Sequence, residues 1–454
     1  MKPYAKSLFI FRRDLRIEDN TALNAALAQS EQVIAVFIFN PLQIEAHPYQ
    51  SHPALQFMLE ALQDLQRQFT VQGGKLYFYT DNPENVITRL HTEHQIAAVF
   101  VNRDYTPFSL QRDSGIQQRC QTLGIDFHSH ADLLLNEPEQ VLNKTHTPYQ
   151  VFSAFYKRAR QNPVKLPKNL HAGNFCSAEL YATSTDWQTS LKQTHTNVLT
   201  GGRQPALALL HNGLSACKNY SLERDYPSLT ATSTLSAYLK FGCCSIREAY
   251  YATLQQFDAE HPLLRQFYWR DFFTHIAYHY PYVFGHAFHR RYDNIEWQNQ
   301  EPLFLAWTQG MTGFPIIDAG MRELNQTGLM HNRVRMLVAS FLVKDLHISW
   351  RWGERYFAQH LLDYDPCVNN GNWQWAASTG CDAQPYFRVF NPWLQQRKFD
   401  ADCRYIKRWV PELAKYSTSQ IHQWQQPATD SHYPAPIVDH AEQTRQVKAL
   451  YKIT

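Results

Sequence analysis

The sequence predicts an α/β fold in two parts: an N-terminal doubly wound parallel-sheet domain, then a large all-α domain. Three observations predict it. Over roughly the first 130 residues, short apolar runs alternate with helical patterns, the signature of a parallel sheet with crossover helices. After Ala206 nearly every periodic segment has helical spacing. The 11 Trp are also uneven: none precedes Trp187, and nine lie between Trp269 and Trp409.

In chain order, the apolar runs at 8–11, 33–39, 76–80, 97–102 and 125–128 read as buried strands. Asn20 is placed to cap a helix from Thr21. Apolar residues at helical spacing from His52 to Phe69 stop at Gly73-Gly74. Asn82-Pro83 is a cap followed by Pro at the first helical position. A further helix over 109–123 ends at Gly124. From about 160 to 205 the pattern dissolves into Pro, Asn, Thr, Ser and Gln and reads as a long linker. Helices are then expected at 206–214, 235–241, 246–257, 263–280, 316–324, 332–345 and 354–362.

Composition narrows the function. With 43 basic and 40 acidic side chains the net charge is only +3, which excludes a histone-like basic binder and an acidic tail protein. Any nucleic-acid site must be a local surface. No apolar run reaches the ~18 residues of a membrane span. The start shows no secretory signal. The eight Cys lack CxxC or zinc spacing and are expected to be reduced, buried thiols of a cytoplasmic protein. There is no GxGxxG and no Walker loop.

Three segments carry more than a core needs. Thr232-Ser233-Thr234-Leu235-Ser236 is a helix-capping pattern, and the same hydroxyls at a helix start suit a phosphate; spacing leaves both readings open. Asn332, Arg335 and Met336 share one helical face, and Arg335 stands where polar residues give way to an apolar run. A buried ion pair there needs a carboxylate. From Asp363 to Trp375 there are two Asp, three Asn and two Trp in thirteen residues. Pro366 and the lack of a following carboxylate argue against a calcium loop.

Taken in order, these segments resemble the DNA photolyase/cryptochrome family, most closely its class I cyclobutane pyrimidine dimer photolyases. The resemblance covers essentially the whole chain. It includes Phe11-Arg12-Arg13-Asp14-Leu15-Arg16, the 232–236 segment, Trp269-Arg270-Asp271-Phe272 and the 312–322 segment. It continues through Met330-His331-Asn332-Arg333, Asn369-Asn370-Gly371-Asn372-Trp373-Gln374-Trp375 and Phe390-Asn391-Pro392. It implies a Rossmann-like antenna domain at 1–132, an interdomain linker at 133–205 and a helical FAD-binding catalytic domain at 206–454. It also implies a monomer that uses light to repair dimers in UV-damaged DNA by electron transfer from reduced FAD to a flipped-out dimer.

Residue by residue, the resemblance implies flavin contacts at Tyr220, Thr232, Ser233, Thr234, Leu235 and Ser236, the hydroxyls cradling the diphosphate. Asp363 and Asp365 match residues beside the isoalloxazine and sugar, with Arg335 as the ion-pair partner of Asp363. Asn369 matches the residue facing flavin N5. Trp373, Trp350 and Trp297 match an electron-transfer chain. Trp269 and Trp375 match aromatics that stack on the substrate, joined by Met336, while Asn332 can bond a base edge. Arg224, Arg333 and Gln395 match contacts to the DNA strand.

The chain also departs from the pattern. Gln266 stands where cyclobutane dimer photolyases have Glu; its amide donates an N–H but supplies no proton. Gln266 and the 363–367 stretch are similar to DASH cryptochromes, which act on single-stranded DNA, whereas Trp375 and the Ala376-Ala377-Ser378-Thr379-Gly380 continuation are similar to class I photolyases. Leu263 and Leu329 replace Trp found in some members. The six-four enzymes have His at the positions of Asn332 and Met336. A signalling cryptochrome, the blue-light receptor alternative, carries a long tail after the region that here reaches Thr454. The antenna stays open between methenyltetrahydrofolate, a deazaflavin or none: His47 matches a folate contact, but Phe108 and Ser109 replace Asn and Glu. Trp307, Trp352, Trp393 and Trp409 carry no assignment beyond packing.

Overall fold

The computed structural model describes residues 2–180, 198–382, 387–426 and 431–451. Part of the expected linker, with Trp187, lies outside the described residues. The chain forms two compact units. Unit 1 is Met1–Tyr149, Ser153–Ser215 and Ser233–His279; unit 2 is Gln150–Phe152, Ala216–Thr232 and Tyr280–Thr454.

Unit 1 is built on a parallel sheet of β1 (Tyr4–Phe11), β2 (Ser30–Phe39), β3 (Leu76–Thr80), β4 (Ala98–Asn102) and β5 (Asp126–His130). The strand order is β3-β2-β1-β4-β5. Residues 8–11 of β1 are buried without alternation, as a strand covered on both faces requires. β1 and β2 each begin before their apolar runs, because Tyr4 pairs with Ser30 and Lys6 with Gln32; a neighbouring strand extends the ladder past the hydrophobic segment. The crossovers are α1 (Thr21–Gln29), α2 (His52–Val71), α3 (Pro83–His94) and α4 (Pro107–Leu123). Asn20 caps α1 by accepting from the Leu23 N–H. Asn82 makes no such bond at α3; the neighbouring Asp81 instead accepts from Asn82 N (2.7 Å) and Asn85 Nδ2 (2.9 Å).

Unit 1 also contains α6 (Arg203–His211), α7 (Ser236–Phe241), α8 (Ile246–Gln256) and α9 (Pro262–His279), and α5 (Phe152–Ala159) lies at its border. Buried charge ties α8 to the sheet. Asp132 accepts from Arg16 (2.6 Å) and Arg247 (2.7 Å), and Asp19 accepts from Arg247 Nε (2.9 Å). Gly242 ends α7 at φ +65, and a Cβ there would lie 2.4 Å from the Arg13 carbonyl oxygen. The motif from Phe11 to Arg16 thus gains a packing reason.

Unit 2 is helical: α10 (Glu301–Gln309), α11 (Pro315–Thr327), α12 (Asn332–Lys344), α13 (Trp350–His360), α14 (Pro366–Ala377), α15 (Pro392–Phe399), α16 (Arg404–Trp409) and α17 (His440–Leu450). α13 starts a turn earlier than the sequence pattern because Ser349 caps it. Trp307, Trp350, Trp373 and Trp393 lie in one buried apolar cluster, with Trp297, Trp352, Trp375 and Trp409 packed against it. All eight cysteines are buried thiols outside any disulfide. Among the described residues no helix is long and apolar enough to cross a membrane.

Candidate functional site

In unit 2 the candidate residues gather on α12, α13, α14 and the segment before α14. Asp365 is the N-cap of α14: its Oδ1 accepts from the N–H groups of Cys367 (3.0 Å) and Val368 (3.2 Å). Pro366 follows at the first helical position, where its missing N–H costs nothing. The cap sets the start of the helix that carries Asn369, Trp373 and Trp375.

Arg335 is ion-paired with Asp363, as the resemblance implied. Arg335 Nη2 lies 3.2 and 3.0 Å from the two carboxylate oxygens, and Nε donates to the Met330 carbonyl at 2.8 Å. The Asp363 side chain is only 4% exposed, so the guanidinium gives a buried carboxylate its partner.

Asn369 is buried, and its Nδ2 donates to the Glu354 carbonyl (3.1 Å) and Oε1 (3.3 Å). A backbone carbonyl only accepts, which fixes which end of the amide faces Glu354. The carbonyl end of Asn369 is directed away from Glu354, available as an acceptor.

Trp373 and Trp350 are buried and Trp297 is half-buried. The outer edge of the Trp373 ring lies against α13 at Gly353, where a Cβ would sit 2.1 Å from the ring. The Arg351 guanidinium lies 4.9 Å from the Trp350 ring centroid. Trp297 meets Tyr451 edge-on at 6.1 Å. The three Trp share one apolar region.

Trp375 and Met336 are half-buried and Asn332 is exposed. Asn332 and Met336 lie one turn apart on α12, with Nδ2 3.9 Å from Sδ. Arg333 is engaged within unit 2: it pairs with Asp225 at 2.8 Å and its guanidinium lies 4.5 Å from the Phe399 ring centroid. Arg224 covers the Tyr220 ring at 5.6 Å, and burial pushes the Tyr220 phenol up to about 12. Gln395 Oε1 is buried with no partner among the described residues. Thr232 also belongs to unit 2.

Unit 1 holds Ser233, Thr234, Leu235, Ser236, Gln266 and Trp269. The capping reading of the hydroxyl cluster is corrected. Leu235 occupies the N-cap of α7, and no side chain caps that helix. Thr234 sits at φ +49. Among the described residues the hydroxyls of Ser233, Thr234 and Ser236 take no hydrogen-bond partner. Free hydroxyls at this density fit a diphosphate better than a cap.

On α9, Gln266 and Trp269 are one turn apart on one face. The helix is anchored through three other residues. Asp271 accepts from the Asn136 N–H (3.0 Å), Arg270 donates to the Leu133 carbonyl (2.7 Å), and His275 Nε2 meets the Asn136 carbonyl at 2.8 Å. Burial raises the Asp271 carboxyl to about 8 and lowers His275 to about 4. Trp269 is half-buried against Phe272 and Phe273, at 5.7 and 5.5 Å. Of the antenna positions, His47 is exposed and accepts from the Tyr49 N–H (3.2 Å). Ser109 is buried and donates to Asp104 (3.0 Å).

Sequence reasoning missed Glu354, Asp225 and His331. His331 caps α12 through Nδ1, and burial lowers it to about 4, which leaves that nitrogen free to accept. A His before Asn-Arg at a helix start carried that signal. Glu354 carried none, since its partner lies 15 residues away.

Comparison with known proteins gives the family of the chain. A family model described as the FAD binding domain of DNA photolyase matches residues 263–453, and one described as DNA photolyase matches residues 7–171. The deoxyribodipyrimidine photo-lyase of a Synechococcus species is 38% identical, the match covering 98% of this chain and 96% of that protein. The crystal structure of an archaeal photolyase from Sulfolobus tokodaii with two FAD molecules superimposes with a TM-score of 0.90 at 44% identity, covering 99% of this chain and 100% of that one. A class III photolyase from Agrobacterium tumefaciens gives 0.92 at 34% identity, covering 99% and 97%.

Proposed function

The chain belongs to the DNA photolyase family, with FAD as its cofactor and pyrimidine dimers in DNA as its target, and on that premise we propose that it splits cyclobutane dimers by light-driven electron donation to a dimer drawn out of the strand. We assign residues 1–132 to an antenna domain, 133–205 to a linker and 206–454 to the catalytic domain.

When bound, FAD supplies the light-excited electron donor. The remaining work falls to the chain. The Asn369 Oδ1 accepts a hydrogen bond at the flavin N5 edge, and a neutral amide adds no charge beside an anionic ring. Asp363, held by Arg335, and Asp365 take the polar edge and the sugar. Thr232, Ser233, Thr234 and Ser236 give hydroxyls, and Tyr220 and Leu235 contact surface, to the rest of the cofactor. Trp373, Trp350 and Trp297 relay electrons from the protein surface. Trp269, Trp375 and Met336 give apolar and π surface to the dimer, Asn332 bonds a base edge, and Gln266 donates to a thymine carbonyl. Arg224, Arg333 and Gln395 contact the strand; Arg333 must exchange Asp225 for phosphate to do so.

The observation that supports this reading best is the Asn369 amide, turned by Glu354 so that its acceptor end is available. The test is repair under blue light by protein carrying reduced FAD, on dimers in single- and double-stranded DNA. Light-dependent loss of dimers in duplex DNA is expected. Repair confined to single strands would favour the DASH-like reading that Gln266 allows, and no repair of either substrate would refute the enzyme assignment. Trp373→Phe is expected to slow photoreduction of oxidised flavin while sparing repair by pre-reduced protein. The second FAD of the Sulfolobus relative adds a flavin to the candidate antennas, which an absorption spectrum distinguishes.

A further inference from the structure

We infer that a second electron path leaves Trp373 through Trp307 and ends at Tyr356, separate from the path through Trp350 and Trp297. The inference rests on the reading of Trp373 as the residue that reduces the flavin. Electron tunnelling falls steeply with the gap between π systems, so rings in contact exchange electrons fastest. The Trp307 centroid lies 6.3 Å from that of Trp373, at 71°. Tyr356 lies 5.6 Å beyond Trp307, at 65°. Phe357 and Phe304 border the same rings, but a phenyl ring is much harder to oxidise, so they insulate the path.

The two ends differ as a relay requires. Trp307 is fully buried, and its indole N–H is held by the Val338 carbonyl at 3.0 Å. Tyr356 is half-buried, and its hydroxyl donates to Asn325 Oδ1 (2.7 Å) at the exposed edge of the unit. Burial raises that phenol to about 12, so the ground state keeps its proton. The His360 ring stacks on Tyr356 at 4.0 Å.

The sequence of steps balances. Once Trp373 has given an electron, Trp307 refills it, and Tyr356 refills Trp307. As that electron leaves, the Tyr356 O–H bond breaks, and the proton passes along the Asn325 hydrogen bond to solvent, leaving a neutral tyrosyl radical. A thiol in solution returns a hydrogen atom, and two of the resulting thiyl radicals couple to a disulfide. Trp307, which the sequence left as packing, thereby gains a role.

The test uses the full-length protein with oxidised FAD, illuminated and frozen for electron paramagnetic resonance. Trp350→Phe removes the other path. In that variant a tyrosyl signal is expected, identified by its narrowing when the tyrosines carry ring deuterium. The signal should vanish in Trp350→Phe/Tyr356→Phe, and thiol-supported photoreduction should slow several-fold further. Tyr451 meets Trp297 on the other path, so adding Tyr451→Phe to Trp350→Phe should leave the signal intact. Tyr356→Phe keeps the ring, so a failure to fold does not stand in for the result. A signal that persists without Tyr356, or that disappears without Tyr451, overturns the path. Unchanged photoreduction in Trp373→Phe overturns the reading beneath it, and the path with it.

Discussion

Unit 1 and unit 2 both have apolar cores, but unit 1 adds a buried guanidinium–carboxylate network and unit 2 a cluster of tryptophans. Unit 1 is joined through Arg16, Arg247, Asp19 and Asp132, guanidinium against carboxylate with almost no water. Unit 2 surrounds Trp307, Trp350 and Trp373 with leucines, valines and phenylalanines. A buried ion pair is directional, and each member depends on its partner being present. An aromatic core depends on shape. The first arrangement fixes a motif against the sheet; the second places oxidisable rings side by side, which ions could not do.

The largest break expected is Asp132→Ala. It leaves Arg16 and Arg247 buried without their shared carboxylate and should cost about 3–5 kcal/mol, read as a shift in the urea midpoint. A cost near zero would mean that water reaches the network. Next is Asp271, whose carboxyl burial raises to about 8. The folded state then holds a proton that the unfolded chain releases, so its contribution is full below about pH 4 and is lost as pH rises through about 8. Over that range stability should fall with a slope of up to about 1.4 kcal/mol per pH unit, and Asp271→Asn should flatten the slope; an unchanged slope would show that the carboxyl is ionised when folded.

In unit 2 the corresponding break is steric. Gly353→Ala drives a methyl into Trp373, at 2.1 and 2.5 Å from ring carbons. Overpacking of this kind costs about 1–3 kcal/mol, and the displaced indole should shift the tryptophan fluorescence. An unmoved spectrum would mean that the ring slides freely on α13. The smallest effect is Ser245→Ala, which removes the capping box of α8 and should lower stability by about 1 kcal/mol. A much larger loss would assign most of its value to the Ser245 hydrogen bond to Asp19.

The sheet was legible because its central strands are continuous apolar runs; β5, Asp126–His130, is polar and half-exposed rather than buried, because it lies at the sheet edge beside β4 alone. α10, α15, α16 and α17 were not legible, because they are short or have few buried positions, and packing against neighbours stabilises them more than periodicity does. Within the site, the residues showed that Arg335 needs a carboxylate and that the segment from Asp363 offers one, but only the resemblance singled out Asp363, since 28 residues separate the two. Thr234 misled: hydroxyls before a helix ordinarily cap it, but a left-handed residue turned the chain and put Leu235 in the cap.

By itself the sequence determined the strands, most of the helices and the unequal distribution of tryptophan, because periodicity and composition are local properties. Only the tertiary structure decided which rings touch. Trp307 and Trp373 are 66 residues apart in the chain and meet because α13 lacks a side chain at Gly353, so that Trp373 can lie against it. Contact at that range follows from how helices pack, and no spacing along the chain encodes it.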